Sequence, residues 1–322
     1  MKIKNLVFEG GGILGISYLG ALDYLYSHNL VKDVERVAGT SVGAITALLL
    51  SLNLTFEEIS RITNSIEYGK IKEQNTIMNK TKIGKMINNV GSLYRLVNNY
   101  GWFSSKYFYN WFRKQIENQF DTSKKKPPYT FKDFKDVSIH KNNKPFLDLY
   151  IIGADISNKG SRIFSYETSP DMEVAEAIRI SMSIPLFFEA IKRTENNKLV
   201  IYVDGGITRN YPINIFDRLS YINERTYVPN YETLGFKFKT NNEYYEINNI
   251  LNYIIGLFQT FSRIQEDLYN NNYKDAKRTI EIDTKNISSI NFNIKQGDEI
   301  YNFLYEQGYN ATKDYFEKNY KK

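Results

Sequence analysis

The stretch that most restricts what this chain can become is Gly39-Thr40-Ser41-Val42-Gly43, set between a β-prone run (Val34 to Ala38) and an apolar helical run (Ala44 to Leu52). A serine squeezed into a strand-to-helix turn must point its hydroxyl outward. The flanking glycines explain the spacing: the turn needs an unusual backbone at the serine, and a side chain at Gly39 or Gly43 would collide with the neighbouring strand or helix. The pattern therefore predicts an α/β topology with Ser41 as a candidate nucleophile. Five residues arise by chance often enough that other stretches must agree.

The first of these is upstream. Lys2 to Phe8 reads as a short buried strand, Glu9-Gly10-Gly11-Gly12-Ile13-Leu14-Gly15 follows at once, and Leu19, Leu22 and Leu25 recur at helical spacing from Ile16 to Leu25. Strand, glycine loop and helix form an anion-binding arrangement, because unencumbered backbone N–H groups converge at a helix N-terminus. A dinucleotide site would need an acidic residue at the end of the second strand about 20 residues on. That strand ends instead in Ala38-Gly39-Thr40-Ser41, with Asp33 and Glu35 at its start. For a serine acyl hydrolase, Gly10, Gly11 and Gly12 would be the oxyanion hole, on the same sheet edge as Ser41. A plain packing turn is the bland alternative, although three consecutive glycines exceed what packing requires.

Composition narrows the classes. A chain of 322 residues, 42% apolar and 15% aromatic, buries a large core. It has no cysteine and two histidines, which excludes a disulfide framework and a thiolate nucleophile and disfavours a histidine metal site; no cofactor or metal is expected. The net charge of +6 is spread along the chain. Its main cluster, Lys124-Lys125-Lys126 beside Pro127-Pro128, lacks the aromatics and fold signature of a nucleic-acid binder and reads as a solvated loop. A mild attraction to anionic lipid surfaces is compatible with the charge. Met1 to Phe8 meets Glu9 too early for a signal peptide, and Ala44 to Leu50 and Ile250 to Phe258 are too short to span a bilayer. The expectation is a soluble product, cytoplasmic or delivered without a signal peptide, with peripheral membrane contact.

Residues 55–119 read as mainly helical. Thr55 with Glu57-Glu58 opens one helix, and the aromatic run from Tyr100 to Phe112 reads as the buried face of another, carried by Phe103, Tyr107 and Trp111, rather than as a lipid-facing lid. Thr130 to Phe134 suggests a short helix. Phe146 to Asp155 and Arg162 to Tyr166 form a hairpin across Ser157-Asn158-Lys159-Gly160. A helix from Met172 to Met182, broken before Pro185, leads to the strand Leu199 to Val203 and then to Asp204-Gly205-Gly206. An aspartate ending a strand sits where open α/β sheets place their chemistry, and the glycines leave its carboxyl approachable. Aspartate is a weak base, so acting on a serine requires desolvation by an apolar wall or a coupled transition state. His28 and His140 read as solvated surface residues. Farther on, Thr233 to Thr240 alternates like a strand, Tyr244 to Asn270 is helical, Arg278 to Asp283 is a last strand, and Gln296 to Lys318 is a closing helix with a break at Gly308.

Glycine loop, Gly-x-Ser-x-Gly and Asp-Gly-Gly, in that order, resemble the patatin-like phospholipase family. The resemblance includes Gly10 to Gly15, Ser181-Met182-Ser183-Ile184-Pro185-Leu186-Phe187-Phe188, and Tyr202 through Pro212. It implies a Ser41–Asp204 dyad without histidine, an oxyanion hole at Gly10, Gly11 and Gly12, and motif glycines at Gly15, Gly39, Gly43, Gly205 and Gly206. The implied fold is a three-layer α/β/α sandwich with a mainly parallel sheet. Its catalytic domain would span 1–217, with 218–322 a strand and helix extension packed on the same core. The implied substrate is a phospholipid or other acyl lipid. Two departures stand out: Leu14 occupies a position where the family usually carries a basic residue, and Asn210-Tyr211-Pro212 follows the looser Asn-x-Pro form. A weakly active lipid- or partner-binding protein on the same fold, and a nucleotide-binding α/β protein, are the alternatives.

Overall fold

The computed structural model describes residues 2–67, 70, 82–220, 226–239, 244, 246–270, 273–285, 287–289 and 294–320. Strand and helix alternate from the start: β1 (Asn5–Phe8), α1 (Ile16–Ser27), β2 (Arg36–Thr40), α2 (Val42–Ser51) and α3 (Phe56–Asn64). A helical stretch follows, with α4 (Lys82–Asn99), β3 (Gly101–Phe103) and α5 (Lys106–Glu117), then β4 (Asp148–Asp155), β5 (Gly160–Phe164) and α6 (Val174–Ser181). Next come β6 (Leu186–Phe188), β7 (Ile191–Glu195), β8 (Lys198–Asp204), α7 (Gly206–Arg209), β9 (Arg218–Ser220) and β10 (Thr226–Val228). The chain closes with β11 (Thr233–Phe238), α8 (Ile250–Asn270), α9 (Tyr273–Ala276), β12 (Thr279–Ile282) and α10 (Glu299–Tyr320). Parts of the expected helical tracts, 68–69, 71–81 and 245, lie outside the described residues.

The result is a mixed α/β fold with a central sheet flanked by helices. Strands β12, β11, β1, β2 and β4 run parallel in that order, and β5, β8 and β7 join antiparallel. Alternation along the strands sorts the core into two faces. Leu6, Phe8, Val37, Ile151 and Phe236 face the main cluster under α1, α2 and α10, whereas Val7 and Ala38 face Tyr211, Ile213 and Phe216.

Registers explain how residues far apart in sequence meet. On one side of β4, Ile152 and Gly153 both pair with β5, through Ile163 and Arg162. On the other side, Ile152 pairs with Thr40, the last residue of β2, and Gly153 pairs with Asp204, the last residue of β8. Strands β2 and β8 therefore share one edge of β4 and meet end to end. Their C-termini abut, which brings the residues after Thr40 against Asp204.

Four local expectations are corrected. The chain breaks at Ser104-Ser105, so Phe103 is buried from β3 and α5 buries Phe108, Phe112 and Ile116, while Tyr107 and Trp111 are half-buried. The segment after Thr130 forms a 3-10 turn at Asp133–Lys135. His140 is buried, not solvated: it stacks on Phe146 at 3.7 Å, and its ring nitrogens lie against the carbonyls of Lys144 and Asp133. Helix α10 runs unbroken through Gly308, because that glycine serves packing. A Cβ there would overlap the Ser17 carbonyl, and one on Gly20 would overlap the Tyr305 carbonyl, so α1 and α10 cross backbone to backbone. The buried Arg278 guanidinium, held at 2.5 Å by both Asp217 and Asp275, ties the start of β12 to the end of the 3-10 turn Ile213–Phe216.

Candidate active site

Ser41 occupies the turn between β2 and α2 with φ 53° and ψ −122°, a left-handed conformation that costs a non-glycine residue on the order of 1–3 kcal/mol. The turn is tight enough to demand its glycines. A Cβ on Gly39 would overlap the carbonyl of Gly43, and one on Gly43 would overlap the carbonyl of Phe8. The strained backbone is pinned from below: the Ser41 N–H donates to Ser181 Oγ at 2.9 Å, and the Ser181 hydroxyl donates to the Ile152 carbonyl at 2.5 Å. Ser181, the last residue of α6, is fully buried. Gly15 packs against Val42 behind the turn.

Asp204 is fully buried at the end of β8. Its Oδ1 accepts a 2.7 Å bond from the Gly206 N–H, while Oδ2 is buried without a full hydrogen bond. Burial pushes the carboxyl up from its usual 3.8 to about 7; the Gly206 N–H and the nearby Ser41 hydroxyl pull more weakly the other way. Contacts of this kind are commonly long in unliganded sites and tighten with substrate. Gly205 packs against the Ile152 carbonyl, and Gly206 lies beside the Phe258 ring.

The glycine loop lies beside both. Gly10 packs on Ser41 Cβ, and its N–H donates to the Asn210 carbonyl at 3.2 Å, so this amide is engaged. The N–H groups of Gly11 and Gly12 have no acceptor among the described residues. Of the three loop amides expected to face an oxyanion, that of Gly10 is thus engaged, and those of Gly11 and Gly12 lie near the turn where Ser41 caps α2. Gly12 has φ 57°, and a Cβ on it would overlap the Ser289 carbonyl, which also accepts the Ile13 N–H at 2.8 Å. Glu9 anchors the loop. Its carboxylate accepts from the Phe238 N–H at 2.8 Å and from Asn210 Nδ2 at 3.2 Å, and its carbonyl accepts from the buried Tyr18 hydroxyl at 2.8 Å.

Three positioning contacts went unread in the sequence. Ser181 and Asn210 stand within recognisable motifs, but nothing marked them as supports of the turn. Gln265 gave no signal at all: from α8 its side chain accepts the Asn210 N–H at 2.7 Å and donates to the Gly206 carbonyl at 2.8 Å. Of these supports Asn210 borders a cleft of about 710 Å³, lined also by Ser41, Gly10 to Gly12, Leu14 and much of α8. Leu14 puts an apolar side chain on the cleft wall beside the glycine loop.

The sequence model of the Patatin-like phospholipase family matches residues 6–217. Among curated proteins, the chain is 26% identical over 323 residues to "Uncharacterized protein R571" of Acanthamoeba polyphaga mimivirus, covering 97% of this chain and 93% of that one. It is 29% identical over 253 residues to "Probable lipid hydrolase 463L" of Invertebrate iridescent virus 6, covering 77% and 76%. Among solved structures it is similar in fold to VipD from Legionella pneumophila, with a TM-score of 0.59 at 16% identity over 99% of this chain and 67% of that chain. Full-length ExoU of Pseudomonas aeruginosa gives a TM-score of 0.53 at 16% identity, and this chain covers 52% of it. The glycine loop, the serine turn and the Asp-Gly-Gly strand end all fall inside the matched segment, and the chain belongs to the patatin-like phospholipase family.

Proposed function

We propose that the protein hydrolyses fatty-acyl esters of phospholipids or related lipids, with Ser41 as nucleophile and Asp204 as its base. The observation that carries this reading is the end-to-end meeting of β2 and β8, which sets a strained serine against a buried carboxyl whose pKa stands at about 7 and whose Oδ2 has no full hydrogen bond. A base titrating near neutrality is suited to take a serine proton. Ser41 Oγ attacks the ester carbonyl as its proton passes to Asp204. The resulting oxyanion is met by the Gly11 and Gly12 amides. Collapse returns the proton to the leaving alcohol and leaves an acyl-serine. Water then attacks, gives its proton to Asp204, and the acid departs as Ser41 is reprotonated.

Family membership and the viral relative named as a probable lipid hydrolase support a lipid ester as substrate. We take the catalytic unit as 1–217 and 218–322 as an extension on the same core. The shared core is supported by β11 and β12 continuing the sheet beside β1 and by Arg278 bridging Asp217 and Asp275. The test is product analysis on dispersed phospholipid: free fatty acid should appear with the wild type and be abolished by Ser41→Ala and by Asp204→Asn, both folded. Full hydrolysis by either variant rejects the assignment.

A further inference from the structure

Helix α8 carries more apolar surface than its packing uses. At 100° per residue, Ile254, Ile255, Phe258, Ser262 and Gln265 occupy an inward arc of about 100°. Ile254 and Ile255 are buried, and Phe258 and Gln265 rest on the loop that follows Asp204. Beside that arc, Ile250, Tyr253, Leu257, Phe261 and Ile264 fall within about 80° of one another. All five are exposed, Phe261 by 51% and Ile264 by 56%. The remaining arc carries Asn252, Gln259 and Arg263. Upstream, Tyr244 and Ile247 extend the exposed apolar surface. Single exposed apolar side chains are ordinary, but a continuous patch of this kind marks a contact surface.

We propose that this face of α8 seats the protein on a phospholipid bilayer and leads an acyl chain to Ser41. The inference rests on the lipid-ester reading of the site. Two observations select lipid as the occupant. The patch is continuous with the cleft: Tyr244, Ile247, Tyr253, Leu257 and Ile264 line the same cavity as Ser41 and the glycine loop, so an acyl chain leaving the bilayer stays in apolar contact along its path. The charge around the cleft is also complementary to an anionic surface. Its charged lining consists of Lys239, Arg263 and Lys285 together with Glu9; Glu9 is buried and committed to Phe238 and Asn210, and Asp283, 3.4 Å from Lys239, offsets one of the three cations. No helix among the described residues is long and apolar enough to cross a membrane, so α8 lies along the interface. Gln265 then links the two events, since the helix that meets lipid is hydrogen-bonded on its inner side to the Gly206 carbonyl and the Asn210 N–H.

The chain has no cysteine, so one introduced thiol reports one position. In a Ser41→Ala background, which prevents turnover, a polarity-sensitive fluorophore is attached at Phe261→Cys. The control is Asn197→Cys, on the turn preceding the seven-residue strand β8. Vesicles of phosphatidylcholine mixed with phosphatidylglycerol should blue-shift and brighten the label at 261 and leave that at 197 unchanged. Replacing both Phe261 and Ile264 by serine should weaken vesicle binding by about tenfold or more, since two apolar side chains are withdrawn from the lipid contact. A label at 261 that stays in water with vesicles present overturns the proposal. So does one that shifts with protein concentration in the absence of lipid, which identifies a second copy as the occupant. Hydrolysis of detergent-dispersed phospholipid by the wild type is read in parallel. Hydrolysis with a silent label removes the docking surface and leaves the esterase reading; a shifted label without hydrolysis does the reverse.

Discussion

Replacing Asp204 by asparagine should stabilise the folded protein at neutral and alkaline pH while destroying its activity. The folded carboxyl titrates at about 7, whereas the unfolded one titrates near 3.8. Between those values the folded state holds a proton that the unfolded state has released, so stability falls as pH rises from about 4 to about 7 and is level above. The difference corresponds to at most about 4 kcal/mol, at roughly 1.4 kcal/mol per pH unit. Asparagine keeps an oxygen for the Gly206 N–H and carries no charge to desolvate, so it escapes this cost. Thermal unfolding at pH 8 should place Asp204→Asn above the wild type by up to about 8 °C, on the order of 2 °C per kcal/mol for a chain of this size. At pH 4 the two should coincide. In the wild type, kcat/KM should rise with pH through a midpoint near 7 as the carboxylate forms. An offset between variant and wild type that is the same at pH 4 and pH 8 would show that Asp204 is not desolvated, and the argument for its role as base would go with it.

Other substitutions probe the supports. Ser181→Ala leaves the Ser41 N–H and the Ile152 carbonyl without their present partner; it should cost on the order of 2 kcal/mol in chemical denaturation and lower kcat with little change in KM. Ser41→Gly removes the hydroxyl but relieves the left-handed backbone, so it should abolish hydrolysis and raise stability by about 1 kcal/mol in the same assay. Gly308→Leu drives a side chain into the Ser17 carbonyl where α1 and α10 cross, and should lower the denaturation midpoint by the equivalent of about 3 kcal/mol with an unchanged slope.

Local signals in this chain are legible where a residue's backbone needs are peculiar. The serine turn, the glycine loop and the strand ending at Asp204 each announce themselves through glycines that the structure shows in contact with backbone or ring atoms. Thr55 and Glu58 form the reciprocal cap that the start of α3 suggested. What escaped was mostly nonlocal. The β7–β8 hairpin turns on Asn196 and Asn197 at φ 49° and 60°, and with no glycine in the turn the pair carries only a weak hairpin signal. Gly308 looked like a helix break because its partner, Ser17, is distant in sequence. His140 looked solvated among lysines and asparagines, yet Phe146 and two carbonyls enclose it. Gln265 shows the limit most clearly: a glutamine on an amphipathic helix has no pattern that tells it holds an aspartate loop.

Activation of the Ser41 hydroxyl by Asp204 is tested most directly by covalent trapping. A fluorophosphonate should modify the wild type at a single site, located by peptide mass spectrometry at Ser41, at a rate that rises as Asp204 loses its proton near pH 7 and collapses in Asp204→Asn. An adduct on a different residue, or undiminished modification of Ser41 in Asp204→Asn, would contradict it.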